Sequence, residues 1–190
     1  MTTQHTIVLG SGSPRRQELL QSLGLTITVR VPEVDEIYPE NTPAHEVAPY
    51  LAQLKANALL PSIKDHELLI TSDTVVIQNQ NVLGKPEHKE EAFATLKSLS
   101  NSEHEVVTGV FIGNNLKQKV FFETTKVFFK ALSDEEINYY IEHFKPFDKA
   151  GSYGIQEWIG KIGVTKIEGC FYNVMGLPIG RLWDELKRFD

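Results

Sequence analysis

The sequence predicts a mixed α/β fold, built as a twisted sheet with flanking helices. Short apolar runs rich in β-branched residues alternate with helical patterns along the chain, as they do in α/β proteins. Near the middle of the chain two strand-like runs are joined by a Gly-Asn-Asn turn, which favours a mixed sheet over a purely parallel one. The chain has 190 residues, of which 41% are hydrophobic, so we expect residues 1–190 to form a single domain with a sizeable core.

The N-terminal region is predicted to form a strand, a tight loop and a helix. Thr6–Leu9 is short, apolar and rich in β-branched residues, which is typical of a buried strand. The run Gly10–Pro14 interrupts this pattern, with Ser13 suited to cap a helix and Pro14 suited to its first position. Gly24 is expected to end that helix.

The alternation of strand and helix continues to the end of the chain. Further strands are expected at Thr26–Val31, Leu68–Thr71, Val75–Ile77, Val82–Leu83, Val106–Ile112 and Val120–Lys130, with short strands within 160–172. Further helices are expected from about Pro43 to Leu60, Lys89 to Leu99, Ser133 to Phe144 and Leu177 to Lys187. The helix after Ser133 carries a capping box, because Glu136 follows at the third helical position.

Composition excludes several classes of protein. With 19 Lys and Arg against 25 Asp and Glu, the net charge is −6, which disfavours binding along a nucleic-acid backbone. The sequence lacks a run of about 18 apolar residues, so we expect no membrane span. Cys170 is the only cysteine, which excludes an internal disulfide and favours a reducing, cytoplasmic compartment.

The loop before the first helix has the features of a phosphate-binding loop. Ser11, Gly12 and Ser13 precede a helix N-terminus, whose free N–H groups and partial positive charge favour an anion. The run matches neither common nucleotide fingerprint, because Arg15 stands where the third glycine would be and no Gly-Lys-Ser/Thr follows. Taken alone, the loop is equally well explained as a tight turn.

Basic side chains lie on helix faces that should be apolar. Arg16 falls at the centre of the leucine-rich face of the first helix, and Arg15 flanks that face. Lys55 lies within the apolar arc of the second helix. A bound phosphate would satisfy these charges. An ordinary salt bridge for Arg16, or extension of Lys55 toward the helix end, would also satisfy them.

Acidic residues supply the opposite charge. Asp73 is expected between two strands, where a carboxylate commonly projects into a cleft, although it could equally form a turn. Glu36 follows another strand, in an acidic segment that could be a solvated loop. Together with Lys55, Lys85 and Arg16, these carboxylates form the set that a metal-dependent phosphoryl-transfer enzyme requires.

These motifs, in this order and spacing, resemble the Maf nucleotide pyrophosphatases over nearly the whole chain. The matching residues are Ser11–Arg16, Glu18–Leu20, Val34–Glu36, Lys55, Ser72–Thr74, Gly84–Pro86, Asp148–Gln156 and Gly176–Pro178. The resemblance implies two lobes around a cleft, similar to the inosine triphosphate pyrophosphatases, and a homodimer. It implies hydrolysis of a nucleoside triphosphate to the monophosphate and pyrophosphate with Mg²⁺ or Mn²⁺.

The resemblance also implies roles for individual residues. Asp73 would be the proton acceptor, and Glu36 and Asp73 would hold the metal. Lys55, Lys85 and Arg16 would complete the catalytic set. Ser11, Gly12 and Ser13 would bind phosphate together with Arg16 and Lys85.

Three positions indicate the substrate within the family. Arg15, Thr74 and Gln156 resemble the members that act on dTTP and UTP, whereas members acting on 7-methyl-GTP typically carry Trp, Gln and Glu there. A further alternative keeps the hydrolysis but takes modified nucleotides as substrates, and only these three positions argue against it. The sequence departs from the family at Glu157, where glycine is common. The alternative hypothesis is a nucleotide-binding regulator of septum formation that does not turn its ligand over.

Overall fold

The computed structural model describes residues 5–189, which form strands and helices in alternation. The strands are β1 Thr6–Leu9, β2 Ile27–Val29, β3 Glu67–Gln78, β4 Asn81–Leu83, β5 Glu103–Gly113, β6 Gln118–Phe129 and β7 Val164–Glu168. The α-helices are α1 Pro14–Ser22, α2 Ala44–Leu59, α3 Lys89–Leu99, α4 Asp134–Phe144, α5 Trp158–Gly163, α6 Phe171–Val174 and α7 Ile179–Leu186. The predicted mixed α/β fold is confirmed.

The strands pair in the order β2-β1-β3-β5-β6-β7, with β4 paired to β3. The described residues divide into two compact units. Unit 1 contains the residues up to Asp73, Thr108–Glu123 and the residues from Gly176 onward, and unit 2 contains Thr74–Val107 and Thr124–Met175. The expectation of a single domain stays a prediction.

Unit 1 is organised around β1, which pairs in parallel with β2 and with β3. Ile7 lies opposite Ile27 on one side and Leu68 on the other. The buried apolar core beside these strands contains Val8, Ala56, Leu60, Ile63, Leu69 and Phe111. Removing such aliphatic surface from water is the main favourable contribution to folding.

Helix α2 lies unusually close to strand β5 in unit 1. Gly109 of β5 faces the backbone of α2, and a Cβ placed at Gly109 would lie 2.2 Å from the Pro49 nitrogen and 2.3 Å from the Ala48 carbonyl carbon. Thr71 of β3 also ties this helix to the sheet, because its hydroxyl donates to the Ala52 carbonyl at 2.6 Å. The absence of a side chain at position 109 therefore allows α2 to pack directly on the strands.

Unit 2 combines antiparallel strand pairs with a second core. β3 pairs with β4 through Val76 and Leu83, and β6 pairs with β7 through Lys126 and Glu168. The predicted capping box of α4 is confirmed, because Ser133 accepts from the Glu136 N–H while the Glu136 side chain accepts from the Ser133 N–H. The core of unit 2 includes Leu96, Leu99, Val127, Ile137, Tyr140, Ile155 and Ile159.

Two expectations about secondary structure were wrong. Ser72–Thr74 does not separate two strands, because β3 runs without a break from Glu67 to Gln78. Part of the expected strand region within 160–172 is helical, since α5 occupies Trp158–Gly163 and α6 occupies Phe171–Val174, leaving β7 as the strand between them.

Within residues 5–189, no helix has both the length and the hydrophobicity that a membrane span requires.

Burial of His104 in unit 2 gives the fold a pH-dependent element. The imidazole is 3% exposed, its Nε2 lies 2.7 Å from the Tyr153 hydroxyl, and it stacks on the Phe129 ring. Its Nδ1 is buried and has no hydrogen-bond partner among the described residues. Burial lowers the pKa of His104 from 6.5 to about 4, because the imidazolium would lose its hydration.

We therefore expect the free energy of unfolding to fall as the pH decreases from about 6.5 to about 4. In this window the unfolded chain binds a proton at His104 and the folded chain does not, so the stability contribution, on the order of 3 kcal/mol, is lost with acid. Urea unfolding at pH 7 and pH 4.5 measures this loss of unfolding free energy. His104→Phe should remove this contribution to the dependence of the unfolding free energy on pH. His66→Gln, a substitution at an exposed position, should retain it. An unchanged slope in His104→Phe would contradict the assignment.

Candidate active site

The loop between β1 and α1 exposes a short glycine- and serine-containing segment at a helix N-terminus. The Gly10 N–H donates to the Ile70 carbonyl at 2.7 Å, which anchors the start of the loop to β3. The Ser13 N–H donates to the Ser11 hydroxyl at 3.3 Å. Gly12 is exposed, and a Cβ there would make only an ordinary contact, 3.5 Å from Val31. No close contact within the described chain requires a glycine at this position, whereas close approach of a ligand to the backbone would.

Arg16 projects from the first turn of α1 into a set of oxygen atoms. Its Nε donates to the Gly176 carbonyl at 2.9 Å, and its Nη1 donates to the Ser72 carbonyl at 2.9 Å and to the Ser11 hydroxyl at 3.2 Å. These contacts join α1, the first loop, the middle of β3 and the segment before α7. The prediction that this arginine points inward is confirmed.

The charges around Arg16 are mixed. Burial is the main effect that lowers the pKa of its guanidinium, and the nearby Arg15 adds to this effect. Asp73 and Glu36 act in the opposite direction by favouring the charged form. Two arginines at a helix N-terminus oppose the helix dipole, so an anion in front of α1 would relieve the repulsion.

Lys55 of α2 lies between two carboxylates. Its Nζ is 2.6 Å from Asp73 Oδ1 and 2.8 Å from Glu36 Oε1. Lys55 and Asp73 are each 7% exposed, whereas the loop residue Glu36 is exposed. Lys55 therefore does not extend to the helix end as a solvated side chain, but forms a buried ion pair beneath a more exposed carboxylate.

Glu36 and Asp73 supply two carboxylates, the ligand type that a hard divalent cation uses. Both carboxylates already contact one cation, the Lys55 ammonium. Mg²⁺ characteristically uses one or two carboxylates together with the phosphates of a substrate. Among residues 5–189, no group of three or more His, Cys, Asp and Glu side chains is arranged to hold a metal, so a complete ligand set would need oxygen atoms from the substrate or water.

The remaining predicted residues belong to unit 2. Lys85 follows β4 and is exposed, and Thr74 follows Asp73 within β3 and is half-buried. Gln156 is half-buried, and its Oε1 is buried without a hydrogen-bond partner among the described residues. Ser11, Arg16, Glu36, Lys55 and Asp73 are thus brought together within unit 1, while Lys85, Thr74 and Gln156 are carried by unit 2.

The sequence pattern did not predict a buried polar network that lies beside Gln156. Lys149 is 8% exposed, and its Nζ lies 2.7 Å from Asp148 Oδ1 and 3.2 Å from Glu157 Oε1. The Tyr140 hydroxyl donates to Glu157 Oε2. The glutamate at position 157, where glycine is common in the family, was the sequence signal for this network, because its carboxylate contacts both Lys149 and Tyr140.

Comparison with known proteins identifies the chain's relatives. The family described as Maf-like protein matches residues 6–189. The chain is 51% identical over 187 residues to a dTTP/UTP pyrophosphatase of Parabacteroides distasonis, covering 98% of this chain and 97% of that protein. It is 49% identical over 183 residues to one of Flavobacterium johnsoniae, covering 96% and 94%. One of Cytophaga hutchinsonii is 50% identical over 182 residues, covering 96% and 83%.

Solved structures show weaker likeness. A nucleoside-triphosphatase, also named dITP/XTP pyrophosphatase, from Mycobacterium abscessus is 13% identical, with a TM-score of 0.41 over 65% of this chain and 72% of that one. The Ham1 protein of Staphylococcus aureus is 15% identical, with a TM-score of 0.38 over 65% and 71%.

Proposed function

The chain belongs to the Maf family, and on this premise we propose that it is a nucleoside triphosphate pyrophosphatase that hydrolyses dTTP and UTP. Water cleaves the anhydride between the α- and β-phosphates, and the products are the nucleoside monophosphate and pyrophosphate. The observation that carries the proposal is the ion cluster of unit 1, in which Lys55 lies between Asp73 and Glu36, with Arg16 near both carboxylates. This cluster combines a proton acceptor with the cations that phosphate requires.

In the proposed reaction Asp73 accepts the proton of the attacking water. The ammonium of Lys55, 2.6 Å from Oδ1, fixes the orientation of this carboxylate. Arg16 and Lys55 stabilise the negative charge that grows on the leaving pyrophosphate, because preoriented cations are most effective where charge develops. The loop residues Ser11, Gly12 and Ser13 bind phosphate at the N-terminus of α1.

A divalent cation, Mg²⁺ or Mn²⁺, is proposed at Glu36 and Asp73. When bound, it would acidify the attacking water and neutralise part of the phosphate charge. The shared contact of both carboxylates with the Lys55 ammonium supports this assignment. The phosphate-binding role of Lys85, which lies in unit 2, is carried over from the family resemblance.

Gln156 is proposed to recognise the base, together with Arg15 and Thr74. The buried Gln156 Oε1 accepts no hydrogen bond from the described residues, so it can accept one from a ligand. Uracil and thymine offer an N3–H donor beside a carbonyl, and a glutamine amide can pair with both. Cytosine presents the reverse arrangement, an acceptor at N3 and a donor at N4, so a Gln156 amide held in one orientation would meet acceptor with acceptor and donor with donor. This difference supports dTTP and UTP over CTP.

The experiment that tests the proposed function is a nucleotide panel. The purified protein is incubated with Mg²⁺ or Mn²⁺ and, separately, with dTTP, UTP, CTP, ATP, GTP and 7-methyl-GTP. Pyrophosphate and the nucleoside product are measured together. Monophosphate and pyrophosphate chiefly from dTTP and UTP would support the proposal. Product from 7-methyl-GTP alone would contradict the assignment of substrate, and a modified pyrimidine nucleotide added to the panel would show whether such compounds are preferred.

Gln156→Glu is expected to lower kcat/KM for dTTP by about 100-fold or more, since the carboxylate offers no donor to the base carbonyl. Steady-state kinetics with dTTP and UTP measures the effect. Gln118→Glu, at an exposed position of β6, makes the same chemical change and should leave kcat/KM unaltered. Equal kinetics for Gln156→Glu and the wild type would argue against a role in base recognition.

The alternative, a regulator of septum formation that binds nucleotide without turnover, is not favoured by relatives named for pyrophosphatase activity. Stoichiometric nucleotide binding without product would favour this alternative.

A cytoplasmic location is proposed because one cysteine in 190 residues is typical of a reducing compartment. A homodimer stays a prediction, which light scattering of the purified chain would test.

A further inference from the structure

Gln156 is carried by a tight turn of unit 2. The Glu157 N–H donates to the Gly154 carbonyl at 3.0 Å, which closes a four-residue turn from Gly154 to Glu157. Ile155 and Gln156 are the central residues of this turn. The direction of the Gln156 side chain therefore depends on how both ends of the turn are held.

A single hydroxyl group holds both ends of the turn. The Gly154 N–H donates to the Tyr140 hydroxyl oxygen at 3.0 Å, and the same hydroxyl donates its proton to Glu157 Oε2. Tyr140 is fully buried in the core of unit 2, on helix α4. Burial and the hydrogen bond to Glu157 both raise the pKa of the phenol, so it remains a donor at physiological pH. The turn is thus fixed to a rigid helix.

The second oxygen of Glu157 is held by a buried cation. Lys149 Nζ lies 3.2 Å from Glu157 Oε1, and the Lys149 side chain is 9% exposed. Gly154 leaves room for this carboxylate, because a Cβ at position 154 would lie 2.8 Å from the Glu157 Cδ. Glu157 precedes α5, yet its side chain makes no capping hydrogen bond to that helix. Its carboxylate is committed to Tyr140 and Lys149 instead.

The segment before the turn contains a residue in a strained backbone conformation, Ser152, with a buried hydroxyl group. Ser152 has a φ of 61°, in the left-handed region that disfavours residues with a Cβ. Its Oγ is buried without a hydrogen-bond partner among the described residues, as is the Oε1 of Gln156. Residues held in such conformations persist only where the surroundings enforce them, and they concentrate at functional sites.

From this geometry we infer that Tyr140, Lys149 and Glu157 form a positioning network for Gln156, and that the network determines selectivity among pyrimidine nucleoside triphosphates. The inference rests on the proposed function, since it concerns recognition of the base by Gln156. A tilt of the turn changes the hydrogen bonds that the Gln156 amide can offer to uracil or thymine. Residues outside the base contacts therefore contribute to discrimination against cytosine.

Tyr140→Phe tests the network with little change of volume. It removes the hydroxyl from both ends of the turn while retaining the ring in the core. We expect the ratio of kcat/KM for dTTP to that for dCTP to fall about tenfold or more, mainly through a raised KM for dTTP. Glu157→Gln removes one of the two carboxylate charges that Lys149 contacts and should lower the ratio in the same direction. The double variant should lose less than the product of the two single effects, because both changes act on one network.

Ser133→Ala is the matched control. It removes the N-cap of α4, the helix that carries Tyr140, and is expected to lower the thermal unfolding temperature without touching the turn. A purely structural role predicts that all variants lose thermal stability and keep the dTTP to dCTP ratio. An unchanged ratio in Tyr140→Phe, measured well below its unfolding temperature, would overturn the inference.

Two readouts separate this inference from the proposed function. Hydrogen exchange of the free protein reports the turn directly, and exchange at the Gly154 and Glu157 amides should accelerate in Tyr140→Phe but not in Ser133→Ala. The ratio of equilibrium dissociation constants for dTTP and dCTP reports selectivity even if the wild type yields no product. Wild-type turnover with an unchanged ratio in Tyr140→Phe overturns the network alone. Absence of turnover with a shifted binding ratio overturns the proposed function alone.

Discussion

Asp73→Asn is expected to reduce turnover of dTTP by about a thousandfold while leaving the fold intact. Loss of a positioned general base commonly costs 10²- to 10⁴-fold, on the order of 3 to 5 kcal/mol of transition-state stabilisation. The asparagine oxygen can still accept the hydrogen bond that Lys55 now makes to Oδ1, and Lys55 keeps Glu36 as its counterion at 2.8 Å. The ammonium is therefore not left without a partner, and the protein should stay folded.

Turnover is measured as pyrophosphate release from dTTP, with thermal unfolding and circular dichroism on the same sample. Asp184→Asn provides the control, since this aspartate lies in α7 of the same unit with a side chain that is 70% exposed. It should keep wild-type kinetics. Near-normal turnover in Asp73→Asn would exclude this residue as the proton acceptor. Equal loss in both variants would show that the effect does not depend on the position of the carboxylate.

Gly109→Ala is expected to lower the free energy of unfolding by about 3 kcal/mol or more. The added Cβ would lie 2.2 Å from the Pro49 nitrogen, a distance that non-bonded atoms do not adopt. The neighbours are backbone atoms of α2, so the clash cannot be relieved by rotation of a side chain, and the helix or strand β5 must move. Because α2 also carries Lys55, turnover should fall with stability.

Chemical denaturation of the variant and the wild type measures the change. Gly180→Ala makes the same substitution at an exposed position of α7 where a Cβ meets nothing within 4 Å. There the expected effect lies between no change and a gain of about 1 kcal/mol, because alanine loses less backbone entropy than glycine in a helix. Equal stability for Gly109→Ala and the wild type would contradict the close packing of α2 on β5.

The polar residues of β3 show why sequence patterns misplaced part of the fold. Ser72, Asp73 and Thr74 interrupt an apolar run, and the pattern predicted a break between two strands there. In the structure the strand continues, because Thr71 Oγ1 donates to α2 and the Asp73 carboxylate pairs with Lys55 of the same helix. Partners supplied by a distant segment allow polar groups in a buried strand, and a local pattern does not contain them.

The C-terminal third shows a similar dependence on contacts. Helix α5 has six residues, too few to be stable without tertiary packing. At Gly160 a Cβ would lie 1.9 Å from the Ile155 carbonyl, so this helix exists in close contact with the turn that carries Gln156. Strand propensity in 160–172 was therefore outweighed by packing within unit 2.

The sequence by itself determined the fold class, most element positions, the capping box of α4 and the residues suited to phosphate chemistry. These follow from periodicity, composition and motif order, which are local properties. The tertiary structure alone decided that Lys55 lies between Asp73 and Glu36, and that Tyr140 and Lys149 hold Glu157. Such pairings join side chains from different segments of the chain, and their energies arise only when desolvated polar and charged groups meet at distances that folding sets.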